Sequence, residues 1–118
     1  MKSANTDGPI DWRSKGLPAT TTDVVHSSLE GRNWQVLRED MMLPVAVLKR
    51  SALLHNAGWM RRFAALTGVS IAPHGKTTMS RELFELQMAN GAWGITAATI
   101  VHARIYRRFG IQRILLAN

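Results

Sequence analysis

The stretch VSIAPHGKTTMSRELFELQMANGAWGITAATIVHARIYRRFGIQRILLAN, residues 69–118, decides the fold because one pattern repeats along it. Each repeat runs from a glycine through an apolar segment and a polar turn to a helical segment. The pattern predicts strands over 69–72, 93–96 and 114–117 and helices over 80–90 and 99–109. This alternation is typical of βα units on a parallel sheet, so the predicted fold class is α/β.

The predicted strands are nearly continuous apolar runs, as expected for strands that are covered on both faces. Right-handed crossovers then leave two architectures, an open doubly wound sheet and a (β/α)8 barrel. The last strand ends the sequence with no helix to cover it, and a bare apolar edge strand promotes aggregation. Because a full barrel takes about 250 residues, we expect a truncated, partial barrel with about three of its strands.

The residues ahead of this stretch fall into an arm and a helical segment. Residues 1–35 are weakly patterned, with Trp12 and Trp34 as isolated anchors, and we assign an N-terminal arm to 1–43 and the barrel domain to 44–118. The run LPVAVLK, residues 43–49, predicts a strand.

A helix is predicted over 51–68, with Ser51 as its cap and Gly68 as its end. Its apolar stripe consists of Leu53, Ala57, Met60 and Ala64.

Composition excludes several classes of site and compartment. The chain has no cysteine, which removes disulfides, thiolate zinc sites and cysteine nucleophiles. No apolar run approaches the roughly 20 residues needed to span a bilayer, and the first residues lack the apolar core of a signal peptide. We therefore expect a cytoplasmic protein without a membrane partner.

The net charge of +7 raises the question of nucleic-acid binding. Residues 60–118 carry eight Lys/Arg and two acids, against seven and six in residues 1–59, so the excess lies in the second half. Arg104, Arg107 and Arg108 recur at helical spacing and predict a solvated helix face, without the interleaved aromatic residues of a base-stacking surface. Nucleic acid is therefore not an expected partner.

The segment PHGKTT, residues 73–78, places a lysine between a strand and a helix, which has two familiar uses. One is the P-loop, G-x-x-x-x-G-K-[ST], whose final GKT is present here. The first glycine of that pattern would stand at position 70, which is Ser70, and Pro73 removes a backbone N–H from a loop that binds phosphate through such groups. Spacing and context both fail, so the sequence does not favour a P-loop.

The other use is a Schiff-base lysine at the carboxyl end of a barrel strand, where barrel enzymes place their chemistry. Lys76 has that position, and desolvation or a nearby cation favours the neutral amine that a Schiff base requires. Gly75 would let the backbone approach a flat ring. A solvated surface lysine explains the same spacing more simply, so spacing alone does not decide the matter.

Three motifs resemble pyridoxal 5′-phosphate (PLP) enzymes of the alanine-racemase fold. They are PHGKT at 73–77, GAWGIT at 91–96 and GIQRILLAN at 110–118. More narrowly, they are similar to the branch that holds D-threonine aldolases, D-serine dehydratase-like enzymes and bacterial D-amino acid deaminases. The segment LREDMMLPVAVLKRSALLHN, residues 37–56, also resembles the deaminase-like members, and the whole resemblance covers about residues 36–118.

This resemblance implies where the chain lies in such an enzyme. It makes residues 69–118 the first part of an alanine-racemase-type barrel and makes the strand over 43–49 part of a companion β-domain. Thr78 and Met79 depart from the pattern, since relatives often have His-Lys at these two positions.

The resemblance also implies the cofactor and the site residues. Lys76 would form the Schiff base with PLP and serve as a base at Cα, with His74 and Thr77 beside the cofactor. Thr96 and Asn118, at the ends of two predicted strands, are candidate wall residues. Any divalent-metal ligands would lie beyond residue 118, so no metal site is expected within this chain.

The expected function of the full-length protein is deamination of a β-hydroxy D-amino acid such as D-serine by a PLP-dependent lyase. D-threonine-type aldol cleavage is the alternative, and an inactive remnant or a non-catalytic PLP-binding protein is the alternative of another class. A small D-amino acid is the expected substrate, and the full-length form is compatible with a homodimer. The 118 residues alone are not expected to catalyse, because the phosphate-binding loops of such enzymes would follow residue 118.

Overall fold

The computed structural model of the chain describes residues 9–11, 13–22 and 24–117. The anchoring role predicted for Trp12 and the site role predicted for Asn118 therefore lie outside the described residues. The chain forms two compact units, Met1–Val47 and Leu48–Asn118. The first contains short, mostly irregular structure, and the second contains all the α-helices of the described residues.

In the first unit, strand β1 (Pro9–Ile10) pairs antiparallel with strand β2 (Val24–Val25). Three 3-10 turns follow, at His26–Ser28, Glu30–Arg32 and Val36–Arg38. Exposed ion pairs brace two of the loops: Arg13 bonds Asp11 at 2.6 Å and Arg38 bonds Asp40 at 2.9 Å. Exposed pairs of this kind contribute little to the free energy of unfolding. Each joins residues two positions apart, so its effect is confined to its own loop.

The strand predicted over 43–49 is wrong, since residues 45–49 have no regular secondary structure. No backbone hydrogen bond joins this segment to another strand among the described residues. Val47 is 58% exposed and Leu48 is 66% exposed. An apolar run forms a strand only where a neighbour accepts and donates its ladder bonds, and the described chain offers none here.

The second unit begins with helix α1 (Arg50–Thr67), which ends at Gly68 in the left-handed conformation (φ 70°) as predicted. The cap predicted at Ser51 is wrong. The N-cap position is Lys49, and no side chain caps the helix there, because the helix starts before Ser51.

The predicted stripe of α1 lines one wall of an apolar cavity of about 480 Å³, whose other lining residues include members of α2 and of the extended segment at 71–73. The lining residues from α1 include Leu53, Ala57, Met60 and Ala64. The predicted stripe therefore faces the rest of the second unit, as expected. None of the residues of α1 is fully buried, so the cavity separates the helix from its neighbours.

Helices α2 (Arg81–Ala89) and α3 (Ile100–Arg108) lie within one residue of their predicted bounds. A hydroxyl side chain caps the N-terminus of each helix. The Ser80 Oγ accepts from the Leu83 N–H at 3.3 Å, and the Thr99 Oγ1 accepts from the His102 N–H at 3.2 Å. Such caps satisfy backbone donors that have no partner inside the helix.

Strand β3 (Ile95–Ala97) pairs in parallel with strand β4 (Ile114–Leu116), and Thr96 lies opposite Leu115. The first predicted strand is shifted from 69–72 towards the lysine. The Ile71 carbonyl accepts from the Trp93 N–H at 2.8 Å, the Pro73 carbonyl accepts from the Thr96 N–H at 2.7 Å, and His74 bridges Thr96 in parallel. Pro73 is tolerated in this strand because β3 uses its carbonyl and not the N–H that proline lacks.

The core of the second unit lies between the two helices and β3. Its buried members are Phe84, Ile95, Ala97, Tyr106 and Ile111. The rings of Phe84 and Tyr106 meet edge to face, with centroids 4.8 Å apart. The core therefore fixes α2 and α3 against the sheet, and it includes Ala97, the last residue of β3.

Two parallel β-strands, a bridged extended segment ahead of them and the crossover helices confirm the predicted α/β class and the order of the βα units. None of the helices in the described ranges is long and apolar enough to cross a membrane.

Candidate functional site

Lys76 lies in a single 3-10 turn, Gly75–Thr77, directly after the first extended segment. His74 occupies the N-cap of this turn, and its Nδ1 accepts a long hydrogen bond of 3.5 Å from the Lys76 N–H. The N–H of Thr78 and the N–H of Met79 both donate to the Gly75 carbonyl, the latter at 3.0 Å. The backbone of the turn is therefore bonded at both ends.

The side chain of Lys76 is exposed. Among the described residues it has no ion-pair partner, since the salt bridges of this part of the chain all involve arginine. An exposed amine can be reached by an aldehyde from solution, which is the first requirement for a Schiff base.

Gly75 is buried, and the space around it explains why the position is glycine. A Cβ built there would lie 2.6 Å from Phe84 Cζ, 2.7 Å from the Tyr106 hydroxyl and 2.8 Å from Ile95 Cγ2. All three distances are shorter than real Cβ contacts. The position that a side chain would take therefore faces the core, so the interpretation that Gly75 admits a flat ring is wrong.

Thr96 ties the sheet to the segment that precedes the lysine. Its Oγ1 donates to the Ala72 carbonyl at 2.7 Å, and its N–H donates to the Pro73 carbonyl at 2.7 Å. The hydroxyl is buried and its proton is used, so the oxygen retains only its capacity to accept. Thr96 thus holds the strand end from the sheet side.

The predicted site residues that the structure describes meet at one edge. Lys76, His74 and Thr77 are exposed on the turn, and Thr96 lies beneath them on β3, bridged to His74. The predicted position of Asn118 is not described, but Ala117 just before it donates its N–H to the Ala97 carbonyl at 2.9 Å. The carboxyl ends of the parallel strands therefore converge here, as βα architecture requires.

Tyr106 is a residue that sequence reasoning missed. It projects from α3, is fully buried, and its hydroxyl has no hydrogen-bond partner among the described residues. Burial raises the pKa of the Tyr106 phenol. An unpaired buried hydroxyl costs about 1–3 kcal/mol, so its place beneath Gly75 requires an explanation. The sequence gives no sign of it beyond the fact that Tyr106 is the sole tyrosine of the chain.

Met79 closes the turn in an unusual backbone conformation for a residue with a side chain (φ 47°). Its side chain packs against the buried core. A non-glycine residue in this region costs on the order of 1 kcal/mol, which the packing of the thioether chain offsets. Met79 thus takes part in the fold of the turn at a position where the sequence pattern departs from the resemblance.

The described residues hold no group of three or more histidine, aspartate and glutamate side chains that could bind a metal ion. The residues gathered at the strand ends are an amine, an imidazole and hydroxyls. This set is suited to covalent and hydrogen-bonding chemistry on an organic group.

Comparison with solved structures supports the family resemblance. The chain is similar to D-threonine aldolase from Filomicrobium marinum, with a TM-score of 0.61 and 27% sequence identity. The match covers 64% of this chain and 20% of the aldolase chain, so the chain spans about one fifth of that relative's length. No protein-family model and no curated protein match the sequence. About two thirds of this chain thus share part of the fold of that D-threonine aldolase.

Proposed function

We propose that this chain carries the cofactor-binding lysine and the first strands of a PLP-dependent lyase that acts on D-amino acids, with Lys76 as the covalent attachment point. The observation that supports this most is the position of Lys76. It follows the first of the parallel strand segments, at the edge where the strand ends converge, in a chain similar to D-threonine aldolase. We retain 44–118 as the barrel domain in this proposal.

The residues present fit such a cofactor. Lys76 offers an exposed amine without an ion-pair partner in the described chain, and the turn that holds it is bonded to the sheet through His74 and Thr96. PLP, when bound, supplies an electron-accepting ring that stabilises negative charge at Cα. The lysine amine is then suited to take and return a proton at Cα, which a positioned amine does in general base catalysis.

Two lyase reactions follow from the same substrate class, β-hydroxy D-amino acids. Aldol cleavage breaks the Cα–Cβ bond and turns D-threonine into glycine and acetaldehyde. Deamination breaks the Cα–H and Cβ–O bonds with loss of one water. The resulting enamine tautomerises to an imine, and addition of one water breaks its C–N bond, so that D-threonine yields 2-oxobutanoate and ammonia. The structural likeness favours aldol cleavage, and the sequence segment at 37–56 favours deamination, so product analysis has to decide.

Attachment is tested by trapping. The protein is incubated with PLP, reduced with borohydride and digested, and the modified peptide is identified by mass spectrometry. The chain has four lysines, at positions 2, 15, 49 and 76. The mass of the modified peptide therefore identifies which of the four carries the adduct. We expect the adduct on Lys76, its loss in Lys76→Ala, and its retention in the control Lys49→Ala, where another exposed lysine is removed.

An adduct on a different lysine would refute the proposed site. The reaction is tested in the full-length protein with D-threonine, and L-threonine serves as the control substrate. Glycine with acetaldehyde supports the aldolase, and 2-oxobutanoate with ammonia supports the deaminase. Trapping on Lys76 with no product from D-threonine or from D-serine supports a non-catalytic PLP-binding protein.

A further inference from the structure

The hydroxyl of Tyr106 faces the backbone that carries Lys76. It lies 2.7 Å from the point where a side chain of Gly75 would begin, and Gly75 directly precedes the lysine. Tyr106 is fully buried and its ring is held by the edge-to-face contact with Phe84. The oxygen therefore sits at a fixed place against the Lys76 turn.

Packing alone does not account for a tyrosine here. The hydroxyl gains no hydrogen bond from the described residues, so a phenylalanine at position 106 would fill the core without placing an unpaired polar atom in it. What the oxygen does contribute is contact with Gly75, the residue whose backbone is intrinsically the most mobile in the turn.

We infer that Tyr106 is a positioning residue for Lys76: its hydroxyl, with Phe84 and Ile95, fills the space beside Gly75 and so holds the lysine turn at the strand end. The carbonyl of Gly75 accepts hydrogen bonds from the N–H groups of both Thr78 and Met79. Fixing Gly75 therefore also fixes the backbone that follows Lys76. The benefit for chemistry at Lys76 rests on the proposed function, whereas the constraint on the turn does not.

Two measurements on the full chain test this inference. The first is amide hydrogen exchange at Thr78 and Met79, with Ile95 in β3 as the internal reference, since its N–H bonds the Arg113 carbonyl at 3.0 Å. The second is the rate at which added PLP becomes attached to Lys76, followed by borohydride trapping. In Tyr106→Phe we expect exchange at Thr78 and Met79 to accelerate roughly three- to tenfold relative to Ile95, and attachment to slow by a similar factor.

Phe109→Leu is the matched control. Phe109 also packs on Phe84, with ring centroids 5.9 Å apart, but it has no contact with Gly75 among those found for a Cβ there. We expect it to leave exchange at Thr78 and Met79 unchanged relative to Ile95. Tyr106→Leu is a second test variant, since it removes the same oxygen and is expected to accelerate the same two amides further.

The outcomes separate this inference from the proposed function. Unchanged exchange at Thr78 and Met79 in both Tyr106 variants overturns the inference, and so does an equal acceleration at Ile95, which indicates general loosening of the fold. Selective acceleration in a protein that never traps PLP on Lys76 supports the constraint on the turn and refutes the proposed cofactor site. Selective acceleration with slower attachment supports both.

Discussion

The hydroxyl of Thr96 donates a 2.7 Å hydrogen bond to the carbonyl of Ala72, four residues before the lysine. This bond joins β3 to the extended segment ahead of it, beside the backbone bonds from the Thr96 N–H to the Pro73 carbonyl and from the Trp93 N–H to the Ile71 carbonyl. A buried side chain of β3 therefore helps to fix the position of Lys76 relative to the sheet.

Thr96→Val is expected to destabilise the second unit. Valine keeps the shape but leaves the Ala72 carbonyl without this partner, and the loss of a buried hydrogen bond of this kind costs about 1 kcal/mol. Urea unfolding followed by the helical circular dichroism signal measures it, because the described α-helices all lie in the second unit. Thr77→Val is the control, an exposed threonine on the same turn, and equal losses in the two variants would contradict the role of the Thr96 hydroxyl.

Gly75→Ala and Gly58→Ala are expected to act in opposite directions. At position 75 the new methyl would lie within 2.8 Å of three core side chains, which predicts a loss of about 1–3 kcal/mol. Gly58 lies inside α1, and its nearest neighbour, Arg62 Nη1, is 3.6 Å from the new methyl. Alanine there is expected to stabilise by about 0.5–1 kcal/mol through helix propensity.

Urea unfolding of both alanine variants provides the comparison. In the background of Tyr106→Phe, the loss caused by Gly75→Ala should become smaller, because one of the three close contacts is gone. Strict additivity of the two substitutions would show that the hydroxyl and position 75 do not interact.

The βα pattern was predictable because its signals are local. Ser80 and Thr99 stand immediately before apolar helical segments, and Gly68 stands where α1 ends, so caps and glycines fix the helix bounds to within a residue. The edge position of Lys76 follows from the same pattern, since a residue after a parallel strand lies at the carboxyl end of the sheet.

The errors arise where the outcome depends on distant partners. The run at 43–49 has strand composition but no neighbouring strand in the described chain, and composition does not reveal that. Gly75 was misinterpreted for the same reason. Its neighbours Phe84, Ile95 and Tyr106 are nine, twenty and thirty-one residues further along the chain, and only their packing shows that they occupy the side-chain space of position 75.

The caps of α3 and α1 differ, because Thr99 caps α3 whereas Ser51 lies inside α1. Thr99→Ala is expected to destabilise the second unit by about 1 kcal/mol, because its hydroxyl accepts the His102 N–H at the start of α3. Ser51→Ala is expected to be neutral within about 0.5 kcal/mol, since Ser51 lies inside α1 and does not cap it. Thermal unfolding followed by circular dichroism compares the stability of the two variants. A larger loss of stability in Ser51→Ala than in Thr99→Ala would show that Ser51 caps α1, as the sequence predicts.

Tyr106 predicts a loss of stability at alkaline pH. Burial raises the pKa of its phenol above the ordinary value of about 10. The folded state therefore keeps the phenolic proton where the unfolded state releases it, and by linkage the free energy of unfolding falls as pH rises. The stabilising contribution is present in full below pH about 10 and is lost as pH rises from there through the folded-state pKa.

A direct titration isolates this group, because Tyr106 is the single tyrosine of the chain. The near-ultraviolet absorbance of phenolate should appear at higher pH in the folded protein than in urea, and its onset should coincide with unfolding. In Tyr106→Phe the melting temperature should fall less between pH 9 and pH 11 than it does in the unsubstituted protein, since the ionisable group is absent, while Phe109→Leu should keep the full dependence. Identical titration of Tyr106 in the folded and the urea-unfolded chain would mean that its hydroxyl reaches water, and the place assigned to it beneath Gly75 would then be wrong.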